Sequence, residues 1–110
     1  MKITCKMWLD NNGKAFGKGP CELLKRVAVS GSLNEAASQM GMSYSKAWRL
    51  IGTIEKRLGF AVLERTVGGL AGGGSKVTHR AQDLLQRFER FEKDAVAAVA
   101  QLYRVHFGQL

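Results

Sequence analysis

The stretch Ser32 to Gly59, SLNEAASQMGMSYSKAWRLIGTIEKRLG, most constrains what this chain can become. Ser32 can cap a helix N-terminus, and Glu35 stands three residues on, where its carboxylate can reach back to the Ser32 N–H in a capping box. Ala36, Ala37 and Met40 then recur at helical spacing, and Gly41 can take the left-handed conformation that ends a helix. Ser43 is a second N-cap, followed by an apolar stripe of Ala47, Leu50, Ile51, Ile54 and Leu58, with Gly59 closing the element. Two short helices with small residues at their crossing and a tight glycine turn between them form a helix-turn-helix pattern. The polar residues opening the second helix, Ser43, Tyr44, Ser45, Lys46 and Arg49, are not needed for its apolar stripe. In such a motif these positions face base edges in the major groove, where Lys and Arg pair with guanine acceptors and Ser donates or accepts.

Charge supports that direction. The chain carries 17 Lys and Arg against 9 Asp and Glu, a net charge of +8. Between Ser43 and Arg80 the count is seven basic residues (Lys46, Arg49, Lys56, Arg57, Arg65, Lys76, Arg80) against two acidic ones, Glu55 and Glu64. A basic surface by itself fits RNA, anionic lipid or plain solubility. Joined to the helix pair, it favours double-stranded DNA, with phosphate contacts expected from Lys46, Arg49, Arg65, Lys76 or Arg80.

The flanking segments complete a small domain. Ile3 to Leu9 alternates weakly, as an edge strand does; Asp10-Asn11-Asn12-Gly13 is a turn, and the glycines at 13, 17 and 19 make a loose link. Pro20 suits the start of a helix carrying Leu23, Leu24, Val27 and Ala28 on one side and stopping at Gly31. After Gly59, the β-prone run Phe60 to Thr66, the tip VGGLAGGGSK and Val77-Thr78 read as a hairpin, the wing of a winged helix. Its glycines and Lys76 permit close approach to a sugar–phosphate backbone. Gly69 to Gly74 has phosphate-loop spacing, but Ser75-Lys76 reverses the required order and a strand follows where a helix N-terminus is needed, which argues against a nucleotide loop.

Thr78 caps a long helix running to about His106. Its apolar positions Ala81, Leu84, Phe88, Phe91, Ala95, Ala98, Leu102 and Val105 keep heptad spacing, with Leu85 and Val99 broadening the stripe. The stripe exceeds what one small core covers, which predicts a homodimer interface through Leu84, Phe88, Phe91, Ala95 and Leu102. The expected fold is mainly α with a small β-hairpin: a winged helix-turn-helix over 1–78 and a linker and dimerisation helix over 79–110.

Other chemistries find little support. His79 and His106 have no partner at metal-ligand spacing, the serines are explained by capping, and no carboxylate pair suggests acid–base work, so neither an enzyme nor a metal or cofactor site is expected. Cys5 and Cys21 lack C-x-x-C spacing and read as small buried apolar residues. No apolar run approaches the ~20 residues of a membrane span, and the N-terminus lacks the apolar core of a secretion signal, so a cytoplasmic protein is expected.

The block GSLNEAASQMGMSYSKAWRLIGTIEKRLG with VLERTVGGLAGGGSKVTHRAQDLL resembles the N-terminal domain of molybdate-responsive ModE-type repressors and, more distantly, the LysR-type winged-helix domain. MSYSKAW and RTVGGLAGGGSKVT are its most specific pieces, and the likeness spans roughly Pro20 to Phe88. The resemblance implies a transcriptional regulator, dimeric through the long helices and binding a two-fold symmetric operator. Ser43, Tyr44, Ser45, Lys46 and Arg49 would be its recognition-helix contacts, and Gly69, Gly72, Gly73, Gly74 and Lys76 its wing. The sequence stops at Leu110, before the position of the oxyanion-binding domain of the molybdate sensors, so molybdate binding is not expected to carry over. The rival is a winged-helix interaction module that does not read DNA.

Overall fold

The computed structural model of the chain describes residues 1–66 and 74–109. Its elements are β1 (Trp8–Asp10), β2 (Lys14–Gly17), α1 (Lys18–Ser30), α2 (Leu33–Gln39), α3 (Tyr44–Leu58), β3 (Leu63–Thr66), β4 (Gly74–Val77) and α4 (His79–Phe107). The strands form two separate antiparallel hairpins, β1–β2 and β3–β4. This is a winged helix-turn-helix arrangement with a long C-terminal helix, mainly α with the expected small hairpin.

Local capping explains the helix boundaries. The Ser32 hydroxyl accepts the Glu35 N–H at 3.1 Å, the Ser43 hydroxyl accepts the Lys46 N–H at 3.1 Å, and the Thr78 hydroxyl accepts the Ala81 N–H at 3.2 Å. Gly31, Gly41 and Gly59 take the left-handed φ of 74°, 70° and 85° after their helices. The return half of the capping box is not made. The Ser32 N–H donates to the Ser30 hydroxyl at 3.2 Å, and the Glu35 carboxylate instead accepts from Gln39 one turn on.

The core is built from Leu23, Leu24 and Val27 of α1, Leu33, Ala36 and Ala37 of α2, and Ala47, Ile51 and Ile54 of α3. Val62, Leu63 and Val77 at the foot of the second hairpin and Ala81, Leu85 and Phe88 of α4 close it. Ala36, Ala37 and Ala47 are wholly buried, and their small side chains let α2 and α3 approach closely. Leu50 and Leu58 are only partly buried at the edge of the α3 stripe, and Ala28 is exposed rather than in the α1 face.

The N-terminal region departs most from expectation. The strand is only Trp8–Asp10; Ile3 and Cys5 precede it and are exposed. The segment read as a loose link is β2, whose Ala15, Phe16 and Gly17 are buried, and α1 begins two residues before Pro20. Phe16 supplies the reason: its ring meets Phe88 of α4 edge-on, 5.3 Å between centroids. Aromatic burial of that kind outweighs the turn preference of the surrounding glycines. The turn itself is as read, with Asn12 and Gly13 at φ 56° and 127°.

Candidate nucleic-acid interface

Helix α3 presents a basic, hydroxyl-bearing face at its N-terminal half. Ala47, Ile51 and Ile54 point into the core, which turns Ser45, Arg49, Gly52 and Lys56 outward at successive helical turns. Tyr44, Ser45, Lys46 and Arg49 are all exposed. Among the described residues none of their side chains has a hydrogen-bond or ion-pair partner, so the donors of Lys46 and Arg49 face solvent uncommitted. Ser43 differs: its hydroxyl is occupied in capping α3.

Other cations from the same segment are already employed. Arg57 donates from Nη1 to the Lys14 carbonyl at 2.6 Å while its own carbonyl accepts from Asn11 at 2.7 Å, which docks the β1–β2 hairpin on the end of α3. Arg80 lies over the Phe60 ring, 4.3 Å from its centroid. Arg65 lies over Trp48 at 4.8 Å. Trp48 escaped the sequence reading because it falls beside the apolar stripe, although its place one turn after Tyr44 was visible there.

The second hairpin is fixed to the helices at both of its ends. The Glu55 carboxylate accepts the Val62 N–H at 2.7 Å, the Thr78 hydroxyl donates to the Ala61 carbonyl at 2.8 Å, and the Ser75 N–H donates to the Gly31 carbonyl at 2.8 Å. Its register sets Glu64 opposite Lys76 and Arg65 opposite Ser75. Lys76 is exposed. Gly74 opens β4, whereas Gly69, Gly72 and Gly73 lie outside the described residues.

Along α4, Ala81, Leu85 and Phe88 are buried and no later residue is. Phe88 therefore serves the chain's own core rather than the outer seam, and Leu84 is half-buried beside it. Phe91, Leu102 and Val105 are 56%, 58% and 73% exposed. Lys25 pairs with Glu89 at 3.2 Å, where α4 leaves the core. Cys5 is exposed and Cys21 buried, so only the second matches the expected pair of core thiols. Burial, with the Glu89 carboxylate adding to it, pushes the Cys21 thiol up to about 11. Among the described residues no three His, Cys, Asp or Glu side chains gather as metal ligands would. No described helix is long and apolar enough to cross a membrane.

Residues 21–82, more than half of the chain, match the family described as bacterial regulatory helix-turn-helix protein, lysR family. The chain belongs to this lysR family. The chain is similar to the DNA-binding transcriptional dual regulator ModE of Escherichia coli (strain K12), 37% identical over 67 residues, 61% of this chain and 26% of that protein. It is also similar to the molybdenum-pterin-binding protein MopB of Rhodobacter capsulatus, 31% identical over 94 residues, 86% of this chain and 33% of that one. The chain spans about a quarter of the length of the ModE relatives it matches. Among solved structures, the protein chain of the CbnR_DBD-DNA complex superposes with a TM-score of 0.58 at 21% identity, covering 78% of this lysR-family chain and 93% of that one. The BenM_DBD/benA site 1 DNA complex gives 0.55 at 22% identity, covering 80% and 93%. These two likenesses show the fold.

Proposed function

We propose that this lysR-family chain is a transcriptional regulator that binds double-stranded DNA as a homodimer, with the first half of α3 in the major groove. The observation that carries the reading is the uncommitted, exposed set Ser45, Lys46 and Arg49 on the outer face of a helix braced by α2. We assign Arg49 to base edges, and Lys46, Arg65, Lys76 and Arg80 to phosphates. Tyr44 and the Ser43 hydroxyl border the same surface. That two solved structures of this fold are DNA complexes supports duplex binding.

The dimer rests on α4. Beyond Phe88 its apolar positions Phe91, Ala95, Ala98, Leu102 and Val105 continue at heptad spacing; none of them is buried among the described residues, and all but Ala95 are exposed. Such a stripe is what a second copy covers. An adjoining cleft of about 1210 Å³, lined by Trp8, Leu50, Ile54 and Val96 among others, extends the apolar surface. Residues 1–78 then act as the reading head and 79–110 as the linker and dimerisation helix, although the first turns of that helix also complete the head's core.

Selection of sites from a randomised duplex pool with the purified chain tests the proposal. A palindromic consensus with half-sites one helical turn, ~34 Å, apart is the expected result. Tight binding without a consensus would overturn sequence-specific reading. Retention of no DNA would overturn duplex binding and leave an interaction module.

A further inference from the structure

Between the recognition helix and the second hairpin lies a three-part aromatic and cationic stack. Tyr44 meets Trp48 edge-on, 6.1 Å between centroids at 84°. The Arg65 guanidinium sits over the same indole, 4.8 Å from its centroid. Strand alternation explains how Arg65 arrives there. Leu63 and Arg65 of β3, with Ser75 and Val77 of β4, share the face of the hairpin turned toward the helices. Leu63, Ser75 and Val77 are buried on that face, while Arg65 is exposed, at the end where the core runs out. In place of a core neighbour it meets the Trp48 ring.

Two features mark this as more than packing. First, Arg65 has no carboxylate or other hydrogen-bond partner among the described residues, so the contact with indole occupies its face and leaves its N–H edge available. Arg57, by contrast, spends its donors on a backbone carbonyl. Second, the Trp48 Nε1–H is buried and finds no acceptor among the described residues. A buried indole normally satisfies that donor, and a phenyl ring at this position would leave no orphan group. What indole offers over phenyl is the stronger face for a cation.

We infer that Trp48 is a positioning residue for DNA binding: its ring holds the Arg65 guanidinium at a fixed place beside the exposed patch of α3. From there Arg65 donates to a backbone phosphate flanking the groove that α3 enters. The platform joins recognition helix and wing into one rigid docking surface, so the phosphate contact fixes the depth and register at which Arg49 reaches the bases. Trp48 itself touches no nucleic acid in this scheme. The inference rests on the duplex-binding reading given above.

The dependence of duplex affinity on salt supplies a test that an uncharged structural residue would not move. Each phosphate contact contributes about 0.9 to the slope of log affinity against log salt for B-DNA. Arg65→Ala is expected to lower the slope by about that amount and weaken binding on the order of tenfold. Trp48→Leu, which keeps apolar bulk without a π face, is expected to lower the slope nearly as much although it removes no charge. In the Arg65→Ala background, Trp48→Leu should then change little more, because both substitutions remove one unit. Trp48→Phe, whose π face holds a cation less strongly than indole, should lower the slope by less than Trp48→Leu does, and thermal melts of each variant establish that it is folded.

An unchanged slope for folded Trp48→Leu, or an equal further loss in the Arg65→Ala background, would overturn the platform and leave duplex binding standing. If Trp48→Leu does not fold, Trp48→Phe decides: a slope lowered in the wild-type background but not in Arg65→Ala supports the platform, and an unchanged slope, or an equal loss in both backgrounds, overturns it. A wild-type chain that binds no duplex at any salt would overturn the duplex-binding reading, and this inference with it.

Discussion

The carboxylate of Glu55, in the last turns of α3, accepts the backbone N–H of Val62 at 2.7 Å and more weakly that of Leu63 at 3.4 Å. Val62 is wholly buried, so this donor has no access to water. Helix α3 thus holds the segment that leads into the second hairpin by hydrogen bonding rather than by an ion pair. Glu55→Ala would orphan the Val62 N–H, and the expected loss is about 1–3 kcal/mol of stability, read as a lower urea midpoint at unchanged m. Glu55→Gln keeps an acceptor oxygen and should lose less.

At the other end of the hairpin, Gly74 approaches the α1–α2 junction so closely that a side chain does not fit. A Cβ there would lie 2.6 Å from the Gly31 carbonyl oxygen and 3.0 Å from the Thr66 hydroxyl. The neighbouring bond from Ser75 N–H to that same carbonyl depends on the approach. Gly74→Ala should therefore push the hairpin off the helices, costing about 1–3 kcal/mol as overpacking does. Amide exchange would show it as faster exchange at Ser75, with α3 protected as before.

How much of this was legible follows from the range of the forces involved. The α2–α3 pair, its caps at Ser32 and Ser43 and its glycine stops depend on residues within four positions of one another, and the sequence carries them directly. The β1–β2 hairpin depends on Phe16 meeting Phe88 from the far end of the chain, a contact with no local signature beside Gly13, Gly17 and Gly19. For the same reason Phe88 could not be told from the outer seam of α4: heptad spacing gives periodicity but not which neighbour covers each position. The exposed Lys46 and Arg49 were readable because an apolar stripe fixes the opposite face. That Arg57 is committed to Lys14, and that Arg65 rests on Trp48, required the hairpin positions.

The two thiols should separate cleanly by reactivity. The thiolate is the reacting species, and Cys21 remains protonated until about pH 11 because burial opposes its ionisation. At pH 8.5, iodoacetamide should label exposed Cys5 alone in the folded chain and both cysteines in denaturant, as peptide mass mapping would show. The linkage has a definite sign. In the unfolded chain the thiol ionises near its usual 9.0, below the folded value, so the unfolded state holds fewer protons between the two. Stability from this group is unaffected below about 9 and falls as pH rises from there toward about 11. Cys21→Ser, which titrates in neither state over this range, should flatten that part of the pH profile.

Gly52 stands in the middle of α3 on its outer face, and a Cβ added there would meet no atom within 4 Å. Nothing among the described residues requires glycine, which costs a helix interior roughly 0.5–1 kcal/mol relative to alanine. The position lies one turn beyond Arg49, where a duplex seated on Ser45 and Arg49 would come closest to the helix backbone. Gly52→Ala is therefore expected to raise the thermal midpoint while weakening duplex affinity, effects of opposite sign. A gain in stability with no loss of affinity would mean that the duplex does not approach this part of α3.

The exposed half of α4 gives the dimer a test that leaves the reading head intact. Leu102 is 58% exposed and lies well past Phe88, the last buried residue of the helix, so Leu102→Glu places a charge at a position more than half open to solvent in the isolated chain. In a paired helix the same carboxylate would have to be desolvated in an apolar seam, a cost of several kcal/mol per ion. Sedimentation equilibrium should accordingly show a dimer for the wild-type chain and a monomer for Leu102→Glu. Dimer dissociation would also halve the phosphate contacts made at one palindromic site, so affinity for a full operator should fall toward that for a half-site. The intrinsic fold of the head should persist, because its core closes with Ala81, Leu85 and Phe88 and does not involve Leu102. A wild-type chain that sediments as a monomer at concentrations where it occupies a full palindrome would refute pairing through α4.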